Sequence, residues 1–269
     1  MKELLLGYAV QMLGLLGAVL LVGVLLELTT RHFLSNTGKG GRTFFIVTGF
    51  LGTPVHELSH AAMCLLFGHK IKRIRLFAPD AKSGTMGYVE HSYNPRSVYQ
   101  QIGNFFIGIA PMIGGSVVLL LLLYYFVPDT FAVIGANVAI LQEAPLSPFS
   151  AETYRLVISC IGDVLAALVA PSQLADPAFW GFLVLALMVA MHMDISPADL
   201  KTAKVGFGVF AVVVFLVDLV CYYTSYDLFR EVVTTSFCVG WFVLILMLPA
   251  ALLMVLALLV SYLIRVIKR

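Results

Sequence analysis

Long apolar runs separated by short polar segments dominate the chain. A helix that crosses a bilayer needs about 20 apolar residues in succession. Six runs approach or exceed that length: 4–28, 43–67, 102–127, 177–193, 205–225 and 234–264. Pro249 interrupts the last and predicts a kink or a tilt there. Between the third run and the fourth, region 128–176 fits less well. Its part 131–142 is apolar but short, and 151–170 has an amphipathic helical pattern broken by Glu152, Arg155 and Asp163. That pattern predicts a surface-lying or re-entrant helix rather than a seventh span. After the second run the period changes to two: Ile74 and Leu76 alternate with Arg73 and Arg75. Pro79-Asp80 and Ser83-Gly84 are turn signals, and 85–91 can return as a second strand. The expected fold is therefore an all-α polytopic membrane protein of about six transmembrane helices, with a small membrane-associated β-hairpin over 70–91.

Composition strengthens this reading. Of 269 residues, 60% are hydrophobic and 12% charged, whereas soluble domains carry about 25% charged residues. We read 1–269 as a single integral-membrane domain. It has a core at 43–201, an extracytoplasmic segment at 128–176 and C-terminal helices at 205–264. The net charge of +2 is too small to suggest nucleic acid as a partner; the lipid bilayer is the expected one. Cys64, Cys160, Cys221 and Cys238 all lie in apolar stretches without CxxC pairing. They read as small buried hydrophobes rather than as disulfides or thiolate ligands. The first run is too long for a signal-peptide core and no small-x-small site follows it, so it reads as a retained helix.

Six spans would put both termini on one side. That side would carry Lys2, the basic residues of 70–96, Lys201, Lys204, Arg265, Lys268 and Arg269, or 12 of the 17 basic residues. The other would hold Arg31, Lys39, Arg42, Arg155 and Arg230 with the acidic residues of 128–176. Cytoplasmic loops are enriched in Lys and Arg. Both termini are therefore expected in the cytoplasm, of a bacterial cell with the chain in its inner membrane.

The second run contains His56-Glu57-Leu58-Ser59-His60. An ionisable side chain at mid-bilayer costs roughly 2.5–3.5 kcal/mol or more and marks a functional site by default. Residues i and i+4 share one helix face, so both imidazoles can reach one metal ion. Glu57 is rotated about 100° from His56 and can address a metal-bound water instead. This is the spacing of zinc hydrolases. Catalytic zinc usually takes three protein ligands and keeps one open position. His56 and His60 supply two. His69 lies beyond the run and is discounted, and Glu90 in the hairpin is a weak candidate. The cluster from Met191 to Lys201 offers the others: Asp199 first, with Asp194 and His192 as alternatives. His192 can instead orient a ligand.

The stretch Gly52-Thr53-Pro54-Val55-His56-Glu57-Leu58-Ser59-His60-Ala61-Ala62, followed by Gly68-His69-Lys70-Ile71 and a hairpin with Gly84 and Gly87, resembles the M50 or site-2-protease family. These are intramembrane zinc metalloproteases. Ala110-Pro111-Met112-Ile113-Gly114 stands where the family often has Gly-Pro-x-x-Asn, without the Asn. Ser196-Pro197-Ala198-Asp199-Leu200 is similar in placement to the family's distal Asp motif, without the Leu before the Asp or the Gly after it. The resemblance covers roughly 50–115 well and 190–201 loosely. It implies a zinc endopeptidase with Glu57 as general base, acting on a membrane-spanning protein or peptide. The basic hairpin can pair with an extended substrate by strand addition, or its cations can meet anionic headgroups. The competing expectations are a metal-handling membrane transporter and a catalytically inactive scaffold that binds membrane proteins. A transporter predicts internal repeats, which the sequence does not display, and the intact His-Glu-His triplet speaks against a scaffold.

Overall fold

The first two apolar runs form one helical segment interrupted at a single residue. The structure, a computed structural model, describes residues 1–80, 84–144, 146 and 150–267. Helix α1 (Lys2–Leu66) is broken at Gly38, whose φ of 57° and ψ of −130° are far from helical. Only glycine reaches such a conformation without a steric penalty. Phe33 and Phe44 have ring centroids 5.8 Å apart, whereas eleven residues of straight helix would separate them by about 16 Å. The chain therefore folds back at Gly38.

Strands β1 (Lys70–Arg75) and β2 (Tyr88–Ser92) pair antiparallel, from Lys70 opposite Ser92 to Arg75 opposite Tyr88, with an irregularity between Ile71 and Arg73. Backbone bonds from Ala78 to Met86 and from Asp80 to Thr85 carry the pairing toward the tip. The expected hairpin is present. Its turn signal at Ser83 lies outside the described residues, as do the basic Lys82, Lys268 and Arg269. The helices α2 (Val98–Gly108) and α3 (Ala110–Phe126) meet at a 58° bend. Then come α4 (Pro128–Glu143), α5 (Ala151–Leu168), α6 (Pro171–Ala175), α7 (Pro177–Ala190), α8 (Pro197–Thr224) and α9 (Tyr226–Ile267).

Among the described residues four helical stretches are long and apolar enough to cross a membrane: Lys2–Leu66, Ala151–Ala175, Pro197–Thr224 and Tyr226–Ile267. The bent pair of α2 and α3 makes a fifth if it is one span. The fold is thus predominantly helical and suited to a multi-pass membrane protein, with four or five span-like stretches where six were expected. Two of those runs lie in α1, on either side of Gly38. The run at 177–193 is helical for only 14 residues. Ala151–Ala175, where a surface-lying or re-entrant helix was expected over 151–170, is apolar enough to cross because Glu152 and Arg155 fall in its first turns.

The chain divides into two compact units. One comprises Met1–Leu20, Leu120–Leu183 and Ala211–Leu246. Here Leu4, Cys221, Phe229 and Val233 form a buried apolar cluster. Beside it, in the amide orientation that satisfies both ends, Gln11 donates to Asp218 at 2.6 Å and accepts from Ser236 at 2.9 Å. Asp218 is fully buried, and this bond joins α8 to α1. In this unit Gly7 touches Phe229, and further along Gly14 touches Phe237 and Gly240. The start of α1 and the start of α9 therefore run parallel. Six alternating spans would make the first and last antiparallel, an arrangement that these two starts do not show.

The second unit comprises Leu21–Leu119, Val184–Phe210 and Met247–Arg269. It holds the hairpin and every ligand candidate singled out in the sequence. Small residues allow close helix approach there. A Cβ on Gly206 would lie 2.2 Å from the Phe105 nitrogen, and one on Gly108 would lie 2.6 Å from the Asp199 carbonyl oxygen. These contacts bring the N-terminus of α8 against the end of α2.

Candidate metal centre

His56 and His60 sit one turn apart on α1, as their spacing requires, with ring centroids 4.8 Å apart. Each imidazole is held by a backbone carbonyl. His56 Nδ1 lies 2.7 Å from the His192 oxygen, and His60 Nδ1 lies 2.7 Å from the Ile107 oxygen. A carbonyl can only accept, so both Nδ1 atoms must donate.

Both carbonyls are available because the local chain breaks its helical ladder. Pro111 stands four residues after Ile107 and has no N–H to offer its oxygen. That proline also coincides with the bend between α2 and α3. The His192 oxygen is free for a related reason: α7 ends at Ala190, and the Ser196 N–H turns instead to the Asp199 carboxylate at 3.1 Å.

Asp199 is the N3 residue of a capping box that starts α8. Ser196 is the N-cap, Pro197 follows at N1, and the Asp199 N–H donates to Ser196 Oγ at 3.2 Å. Ser196 Oγ returns a bond to Asp199 Oδ2 at 2.5 Å. This network aims the carboxylate at the histidines. Asp199 Oδ1 is 3.2 Å from His60 Nε2, and Oδ2 is 3.6 Å from His56 Nε2. The two Nε2 atoms are themselves 3.1 Å apart. With both Nδ1 protons given to carbonyls, neither neutral ring has a proton on Nε2. Three acceptors then converge on one point, and a proton or a metal ion there relieves their repulsion. The donor atoms of His56, His60 and Asp199 all lie within 4.8 Å of one another. This arrangement can hold a metal ion.

Glu57 is 6% exposed and lines the same cavity, of about 800 Å³. It stands outside the triangle of donors. The hairpin presses on it: a Cβ on Gly87 would come within 2.9 Å of Glu57 Cγ and 2.7 Å of the Arg75 oxygen. Glycine is required at this approach.

The other candidates lie elsewhere. Asp194 lines the cavity but is not among the converging donors. The His192 ring turns to Thr48, with Nε2 3.1 Å from its hydroxyl, and packs on Phe45 at 4.3 Å. It is the backbone of His192 that orients His56. Gly52 makes room for it, since a Cβ there would lie 2.5 Å from its ring and 2.2 Å from the Met188 oxygen. Glu90 is half-exposed and faces Arg73 across the hairpin, 3.9 Å away. The two orienting carbonyls escaped sequence reasoning, because a carbonyl has no residue type. Their signal was Pro111 and the non-helical 191–196 segment. Comparison of the chain with protein-family models, with curated proteins and with solved structures gives no match.

Proposed function

We propose that this protein is an intramembrane zinc endopeptidase resembling the site-2 proteases. The observation that carries the reading is the convergence of two carbonyl-locked imidazoles and one carboxylate beside a second carboxylate, Glu57, that is not needed as a ligand. His56, His60 and Asp199 would hold the metal, and a nitrogen–oxygen donor set of this kind suits zinc. Zinc bound there would lower the pKa of a water toward 7 and polarise a peptide carbonyl.

The chain's own residues would do the rest. Glu57 takes a proton from the attacking water and passes it to the leaving amine. The carbonyls of Ile107 and His192 keep both rings in the tautomer that presents Nε2. Residues 84–89 of the hairpin line the cavity, and a strand edge there would pair with an extended peptide. A membrane-spanning substrate must unwind to use it, because its carbonyls are otherwise bonded within its own helix.

The test is cleavage of a reporter transmembrane segment in lipid vesicles by wild type and by Glu57→Gln. The amide keeps the shape and cannot accept the proton. Cleavage should fall at least about 100-fold, the lower range for a lost general base, while bound zinc is unchanged. Substantial residual cleavage by this variant would remove Glu57 from the mechanism. Zinc retained in full by the His56→Ala/His60→Ala double variant would remove the centre itself.

A further inference from the structure

A second group of donors lies one turn beyond the first, where α1 ends. Cys64 is fully buried and His69 is 4% exposed. His91 comes from β2, across the hairpin. The ligand atoms of these three residues all lie within 4.8 Å of one another.

The end of α1 builds half of the group. Gly68 has a φ of 68°. Its N–H bonds to the Leu65 oxygen at 3.2 Å, and the His69 N–H bonds to the Cys64 oxygen at 2.8 Å. These two bonds define a Schellman cap, whose first and last residues normally share an apolar contact. Here that pair is a thiol and an imidazole. The other half comes from β2, where His91 Nδ1 lies 3.0 Å from His69 Nδ1. The His69 ring is fixed from behind: Nε2 donates to the Gln100 oxygen at 2.8 Å, and Tyr93 stacks on the ring at 5.2 Å. A metal-bound histidine is usually held by a carbonyl on its other nitrogen in this way. With its Nε2 proton so placed, His69 Nδ1 is an acceptor aimed at the other two donors.

We infer that Cys64, His69 and His91 form a second metal site, for zinc or a metal of similar softness. A sulfur and two imidazole nitrogens match that preference and not magnesium or calcium. On binding, the metal displaces the thiol proton of Cys64 to solvent, and the His91 proton moves from Nδ1 to Nε2, so that both imidazoles bind neutral. The site ties β2 to the end of the helix that carries His56, Glu57 and His60. It thereby sets the position of the hairpin, four residues before whose His91 stands Gly87 against Glu57. It does not depend on the peptidase reading.

Cobalt(II) distinguishes the two centres, because only the second contains sulfur. The purified full-length protein, stripped with a chelator, is titrated with cobalt(II) under reducing conditions. Wild type should bind two equivalents and develop a thiolate-to-cobalt charge-transfer band in the near ultraviolet. Cys64→Ser and, separately, His91→Ala should each lose the band and one equivalent. The His56→Ala/His60→Ala variant should lose one equivalent and keep the band. Absence of the band in saturated wild type overturns the proposal. So does its persistence in either Cys64→Ser or His91→Ala. Because His91 is a partly exposed hairpin residue, its variant tests the site even if replacing buried Cys64 prevents folding.

Discussion

At the scale of single residues, Asp199 and Asp194 offer the same chemistry five positions apart, and only geometry separates them. Asp199→Asn should weaken metal binding by more than the roughly 10–100-fold typical of losing an orienting partner. Asp194→Asn should leave the stoichiometry at the first centre unchanged. Metal analysis after dialysis against a graded chelator checks both, and equal losses would show that the two carboxylates share the role. The pair His56 and His60 was legible in the sequence because a helix converts a four-residue spacing directly into a shared face. The third donor was legible only as a short list, because it arrives from another helix. Its local signature was present nonetheless: Ser196-Pro197-Ala198-Asp199 is a capping box with proline at N1, and that box holds the carboxylate in place. Cys64 and His69 were read as a buried hydrophobe and as a residue outside the site. What brings them together is the left-handed turn at Gly68, a conformation that apolar patterning does not register.

At the scale of elements, the bend between α2 and α3 makes the Ile107 carbonyl available to His60. Pro111→Ala would restore an N–H able to claim that oxygen and straighten the pair. We expect zinc affinity to fall about 10–100-fold, the usual effect of losing a group that orients a ligand, with the protein still folded. Competition with a chromophoric chelator would measure it, and unchanged affinity would show that the carbonyl does not depend on the proline. The hairpin supports a complementary prediction. In Gly87→Val the added atoms would meet the Arg75 oxygen and Glu57, so cleavage should fall while zinc stays bound; full activity would mean that the hairpin is not held against the site. The hairpin itself could be read from alternation and turn residues. Its approach to Glu57 could not, since a glycine in a strand pattern marks either a bulge or a close contact. The break in α1 was likewise readable as two runs, whereas the bend at 109 fell inside a continuous apolar run that gives no sign of direction.

At the scale of the whole molecule, charge and packing bear on orientation together. Of the described basic residues only Lys2, Arg155 and Arg230 fall in the unit that contains the N-terminus. The other eleven fall in the unit with the hairpin and the end of α9, where Arg265 bonds to Asn36 at 2.9 Å. Loops rich in Lys and Arg stay in the cytoplasm as a rule, so we expect the hairpin and the end of α9 there. Lys2 alone is weak evidence for the N-terminus, and counting spans places it in the cytoplasm only if every long run crosses once and alternates. Within the unit that contains the N-terminus, the start of α1 runs parallel to the start of α9, a helix of 42 residues. A helix of that length is about 63 Å long, more than a hydrocarbon core of about 30 Å requires. If α9 crosses once as one helix with its end in the cytoplasm, the N-terminus beside its beginning is expected outside. Single cysteines placed at Lys2 and at Arg265, probed with an impermeant thiol reagent in oriented vesicles, should react from opposite faces. Reaction of both from the cytoplasmic face would restore the arrangement with both ends inside and would mean that α1 and α9 do not cross the bilayer in the same direction.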